Sequence, residues 1–145
     1  MKVLIQRVLS ASVTVNEDVI GSIEHGYLLY VCFENQDTVN SIEKATKKIK
    51  KLRIFEDENS KMNHDIFEKK GAILSISQFT LSWDGSKGYR PSFEKSMPPQ
   101  QAKIFYRTFN DKLKESGLNV ESGLFGAEMK VFSTNDGPVT FILNF

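Results

Sequence analysis

Hydrophobic and polar residues alternate over four short stretches of the first third of the chain, Val3 to Val8, Ser12 to Val15, Val19 to Ile23 and Tyr27 to Phe33. A period of two places every second side chain on one face and predicts strands. Asn16-Glu17-Asp18 and His25-Gly26 punctuate them as turns. The period then lengthens. Ile42, Ala45, Ile49 and Leu52 recur at helical spacing and predict a helix from about Thr38 to Leu52, with Asp37 or Thr38 as its N-cap. Asp57 to Lys70 is polar and turn-rich, and a strong strand is predicted from Ala72 to Leu81. Pro98-Pro99 opens a second helix with the stripe Ala102, Phe105, Tyr106, Phe109 and Leu113, and Gly117 stops it. Three strands follow, near Leu118–Glu121, Ala127–Ser133 and Val139–Phe145. Many strands with two helices indicate one mixed α+β domain over residues 1–145.

Composition narrows this only a little. The 145 residues are 40% hydrophobic and 26% charged, the balance of an ordinary globular protein with a proper core. Lys2, Gln6 and Arg7 interrupt the first apolar stretch, so no signal peptide is expected, and no run approaches a membrane span. The single Cys32 cannot form an internal disulfide, which fits a reducing, cytoplasmic setting. The net charge of +1 announces no nucleic-acid partner, but its distribution is uneven. Lys44, Lys47, Lys48 and Lys51 share one face of the first helix. They read either as a solvated face or as a patch for RNA phosphates.

Much chemistry is excluded. His25 and His64 lie in turn-like contexts and form neither a metal pair nor the base of a nucleophile–base couple. Cys32 sits in the apolar strand after Tyr27-Leu28-Leu29-Tyr30-Val31 and reads as a buried, inert thiol. No glycine-rich phosphate loop occurs, and Glu56, Asp57 and Glu58 read as solvated acids beside a turn. No metal and no cofactor is expected.

Two polar stretches set into apolar strands carry the remaining information. Ser77, Gln78 and Thr80 close the run Ala72 to Ile76, and Asn135-Asp136-Gly137-Pro138 separates Met129–Ser133 from Val139–Phe145. A strand ending in small hydrogen-bonding residues exposes N–H groups where its ladder stops, and such donors can hold an oxyanion. A Gly-Pro step leaves carbonyls without steric cover. Taken alone, Asn135-Asp136-Gly137 is a hairpin-turn signal, and Ser77 to Leu81 is the polar end of a strand.

Together, and in this order, they resemble the D-aminoacyl-tRNA deacylases of the bacterial and eukaryotic type. The resemblance takes in Gln6-Arg7-Val8, Ala11 to Val15, Leu52 to Asp57, Lys61-Met62-Asn63, Ser77 to Leu81, Lys87-Gly88, Arg90 to Phe93, Phe125-Gly126-Ala127 with Met129, and Asn135 to Thr140. Glu128 departs from the family pattern, which has Asp there, and keeps the charge. The resemblance implies a compact, barrel-like, mostly antiparallel sheet with two helices, working as a homodimer on aminoacyl-tRNA. It implies hydrolysis of the D-aminoacyl ester, and of glycyl-tRNA too. The N–H groups of Phe79 and Thr80 would form an oxyanion hole, with Ser77 and Gln78 shaping it and the 2′-hydroxyl of the terminal adenosine assisting water. The alternative makes the Thr80 hydroxyl the nucleophile, although no His, Lys or α-amino group adjoins it in sequence. Gly137-Pro138 would be a cis peptide inserted into the partner's pocket to reject L-amino acids, braced by Arg7, which otherwise reads as a surface strand residue. Phe125 and Met129 would line the adenosine site, or else belong to the core. A deacylase for L-mischarged tRNA, a non-catalytic tRNA-binding dimer and a scaffold or replication-associated protein, for which no helicase or ATP motif speaks, are the competing functions.

Overall fold

The computed structural model describes residues 1–86 and 88–145; Lys87 of the Lys87-Gly88 motif lies outside the described residues. The chain runs β1 (Lys2–Val15), β2 (Asp18–Ile23), β3 (Gly26–Cys32), α1 (Val39–Lys50), β4 (Phe55–Glu56), β5 (Met62–His64), β6 (Ala72–Ser77), a 3-10 turn (Phe79–Ser82), α2 (Pro99–Lys114), β7 (Val120–Ser122) and β8 (Lys130–Asn144). The main sheet is antiparallel except where β6 joins β3 and β7 joins β6.

β1 organises the sheet. Its Lys2–Val8 half pairs with β3 and its Ala11–Val15 half with β2, while β8 runs along the opposite edge from Lys2 to Thr14. The sheet curls so that β2 returns towards β6 and β7, and Gly21 packs on the Leu74 side chain and the Ser122 carbonyl. Inside the curl lie Val8, Ala11, Val13, Ile23, Leu28, Leu74 and Ile76. The other face carries Val3, Ile5, Tyr27, Leu29, Val31 and Ile73, covered by Ile42, Ala45 and Ile49 of α1 and Phe109 and Leu113 of α2. β3 is therefore buried on both faces, which explains its unbroken apolar run.

Three predicted boundaries move. β1 is one strand, not two. Val3 and Ile5 face the helices, whereas Ala11 and Val13 face the interior of the curl, so the alternation changes phase around Leu9-Ser10, which are both exposed. An irregular register with β8 there swaps the faces without ending the strand. β6 ends at Ser77 rather than Leu81, because the chain tightens into the 3-10 turn. The Asn135–Pro138 segment is no hairpin turn: β8 passes through it, and Asp136 to Val139 bulge opposite Arg7 between the pairs Val8–Asn135 and Gln6–Thr140.

Candidate active site

The first two N–H groups of any helix lack partners inside it. In the Phe79–Ser82 turn those groups belong to Phe79 and Thr80, and neither donates to an acceptor among the described residues. The turn is held by other contacts. The Gln78 N–H donates to the Val31 carbonyl at 2.8 Å, and the Gln78 side-chain amide donates to the Thr80 hydroxyl at 2.6 Å. The Cys32 thiol donates to the Phe79 carbonyl at 3.5 Å, and the Phe79 ring meets Phe93 edge-on at 4.9 Å.

Beside this turn opens a cavity of about 620 Å³, lined by Ser77, Gln78 and Phe79 on one side and by Phe125, Gly126, Ala127 and Met129 on another. Cys32, Phe33, Phe93 and Met97 complete much of its wall. Among the described residues its lining holds no Asp, Glu, His, Lys or Arg. The polar groups facing it are main-chain groups, small hydroxyls, one amide and one thiol. Burial pushes that thiol up to about 11, with Glu34 adding to the effect, so Cys32 stays protonated at neutral pH. On that wall Phe125 leans on Tyr106 at 5.9 Å, and Tyr106 is fixed by donating to the Ser75 carbonyl at 2.6 Å.

The β8 bulge forms a second constellation. Gly137–Pro138 is a cis peptide, and both residues are exposed and outside the cavity lining of their own chain. Arg7 is not a surface residue. It is 3% exposed and spans the gap under the bulge. Its Nε donates to the Asp136 carbonyl at 3.2 Å and pairs with the Asp136 carboxylate at 2.9 Å. Its two terminal nitrogens reach the Ile54 carbonyl at 2.7 Å and Glu56 at 3.5 Å. Asn135 clamps the other end, accepting from the Val139 N–H at 2.9 Å and donating to the Thr140 hydroxyl at 3.2 Å.

The structure thus gathers Ser77, Gln78, Phe79, Phe125 and Met129 around one cavity, with Thr80 exposed at its edge. It joins Arg7 to the bulge and leaves Lys44, Lys47 and Lys48 exposed on α1 and Lys51 exposed just past its end, none of them lining the cavity. Reasoning from the sequence counts Phe93, Asn135 and Asp136 among the motifs but assigns them no role at the site. Asn135 and Asp136 are visible there as turn formers but not as clamps, since their partners lie along β1 and across the bulge.

The fold and site define a class: a curled α+β sheet with a neutral cavity edged by free main-chain donors. Comparison with known proteins places the chain within it. The model of the D-Tyr-tRNA(Tyr) deacylase family matches residues 4–144. The D-aminoacyl-tRNA deacylase of Brevibacillus brevis is 51% identical over 143 residues, covering 99% of both chains. That of Listeria monocytogenes serotype 4b is 52% identical over 144 residues, covering 99% of this chain and 96% of the relative. Among solved structures, the c-Myc DNA Unwinding Element Binding Protein superposes with a TM-score of 0.94 at 40% identity, over 100% of this chain and 99% of the other. A probable eukaryotic D-amino acid tRNA deacylase shares the fold, with a TM-score of 0.85 at 17% identity over 98% and 97% of the two chains. The chain belongs to the D-Tyr-tRNA(Tyr) deacylase family.

Proposed function

We propose that this protein hydrolyses the ester bond of D-aminoacyl-tRNA, and of glycyl-tRNA, releasing the free amino acid and tRNA. The single observation that carries the mechanism is the pair of unpartnered N–H groups of Phe79 and Thr80 at the edge of a cavity with a neutral lining. Two such donors at a developing oxyanion supply several kcal/mol, and each ~1.4 kcal/mol is tenfold in rate. An aminoacyl ester is already activated, so that contribution suffices without a side-chain base. Water attacks with help from the 2′-hydroxyl of the terminal adenosine, whose base lies against Phe125 and Met129.

The Thr80 hydroxyl is a poor nucleophile on this geometry. It accepts from the Gln78 amide at 2.6 Å, which draws electron density from its oxygen. Gly137–Pro138 lies outside its own chain's cavity, so its contribution to chirality comes from a second copy of the chain in a two-fold dimer. There its carbonyls take the α-amino group and crowd the side chain of an L-amino acid. A main-chain pocket reads hand and not side-chain chemistry, hence the expected tolerance of many D-amino acids.

The test is a time course of D-Tyr-tRNA and L-Tyr-tRNA hydrolysis with a chelator present. D-Tyr-tRNA is expected to be cleaved and L-Tyr-tRNA spared. Thr80→Ala should retain rates within about tenfold, since only the hydroxyl is removed and the donor N–H remains. A collapse of several thousandfold with the fold intact would make the hydroxyl the nucleophile. Normal turnover of tRNA ending in 2′-deoxyadenosine would rule out assistance by the 2′-hydroxyl.

A further inference from the structure

The Phe79–Ser82 turn is held at its N-terminal end by Gln78, and its first residue, Phe79, also meets Cys32 and Phe93. Its C-terminal end is held by a charge. The Lys2 ammonium donates to the Leu81 carbonyl at 3.1 Å, the direction in which a cation complements the carbonyl end of a helical turn. Lys2 does not float there. It pairs at 3.3 Å with Glu34, and the two side chains are only 23% and 12% exposed. Glu34 in turn is fixed at its backbone, where its N–H donates to the Asp37 carboxylate at 2.6 Å and its strand-like bridge joins Ser96. Asp37 is itself saturated, taking the Met1 ammonium at 2.5 Å. That ammonium also lies 3.8 Å from the Glu34 carboxylate. Two cations and two carboxylates thus form a nearly closed cluster beside the turn, and among the described residues the Lys2–Leu81 hydrogen bond is what ties the cluster to it.

We propose that Lys2 is a positioning residue: held by Glu34, its ammonium pins the Leu81 carbonyl and so sets the tilt of the turn and of its two free N–H groups. The proposal rests on the reading above, in which those N–H groups meet the oxyanion. An oxyanion hole works only when its donors are aimed before the charge develops, because reorienting them during the reaction cancels the gain. A turn of 4 residues has too few internal hydrogen bonds to aim itself, so its orientation must come from outside. In the sequence Lys2 looks like no more than a polar interruption of an apolar stretch.

Lys2→Met keeps the aliphatic stem and removes the ammonium; Lys2→Arg restores a cation. On D-Tyr-tRNA, Lys2→Met should lower kcat by about tenfold with KM within about twofold, and Lys2→Arg should recover most of that activity. Amide exchange without substrate provides a second readout. The Leu81 and Trp83 N–H groups donate to the Gln78 and Thr80 carbonyls within the turn, and their exchange should quicken about tenfold in Lys2→Met but not in Lys2→Arg. Unchanged exchange, an unchanged kcat, or an equal fall in both variants overturns the proposal. A lowered melting temperature with kcat per folded molecule preserved also overturns it, since that is the mark of a merely structural lysine. Should the wild-type protein fail to cleave D-Tyr-tRNA, the functional reading falls. The exchange comparison then still decides whether Lys2 orients the turn.

Discussion

Cys32 shows how one side chain can be both core and wall. It is buried at 1% exposure, yet it lines the cavity and its thiol donates to the Phe79 carbonyl. Burial raises its pKa to about 11, whereas in the unfolded chain a thiol ionises near ~8.5. The folded state keeps the proton that the unfolded state gives up. The stability this provides is complete below about pH 8.5 and fades as pH climbs towards 11. The urea midpoint of the wild-type protein should therefore fall between pH 8 and 9.5 by more than that of Cys32→Ala, whose curve lacks this contribution. Parallel curves for the two proteins would show that the thiol is free to ionise in the fold. The range stops short of the tyrosines, of which Tyr27, Tyr30 and Tyr106 are likewise raised by burial.

At the scale of elements, α1 carries the sharpest test. Its buried stripe Ile42, Ala45 and Ile49 faces the sheet and leaves the four lysines in solvent. Lys47 and Lys48 also lie in the last turn, where cations suit the helix dipole, so a local reason for them exists beside an RNA-binding one. Replacing Lys47, Lys48 and Lys51 with Ala should flatten the dependence of log K for tRNA on log salt, by somewhat under one unit for each phosphate that is no longer neutralised. A slope that stays put assigns this face to solvation alone. Both helices are legible from period and caps, and so are the apolar runs of β3 and β6. Two of the three misread boundaries share one physical origin. Around Leu9-Ser10 and at Asn135–Pro138 the period breaks as it does at a turn, but the broken stretch is a bulge whose partner strand continues opposite it. One chain's pattern cannot separate the two, because the difference lies in what runs alongside. The same limit hides the roles of Asn135, Asp136 and Lys2. The polar end of the β6 run is legible in the sequence, whereas the choice of Phe79 and Thr80 as donors comes from the family resemblance.

For the whole molecule, Gly137 and Pro138 lie outside the cavity lining of their own chain, so on the proposed reading a composite site needs two chains. Gly137 sets the shape of the bulge. Its φ is +140°, and a Cβ there would lie 2.5 Å from Val139 Cγ2 and 2.7 Å from the Val139 nitrogen, the atom clamped by Asn135. Gly137→Ala must therefore shift the bulge and press on Val139, itself a core residue. The variant should fold and sediment as the wild type does, and lose D-Tyr-tRNA hydrolysis by at least about tenfold or begin to admit L-Tyr-tRNA. Wild-type rate and selectivity in this variant, or full activity in a monomer, would detach the bulge from the site. The long pairing of β1 with β8 has a further consequence, for the order of assembly. Lys2 meets Asn144 and Thr14 meets Lys130, so one whole edge of the sheet's central strand finds its partner only in β8, after every other strand of the sheet has been synthesised. Until then β1 offers the cell an open row of donors and acceptors, the usual template for mispairing. Pairings of such long sequence separation also require costly loop closure before they return anything. β1 is thus completed by β8, a strand far later in the chain, and the interval of translation between them is when β1 is most vulnerable.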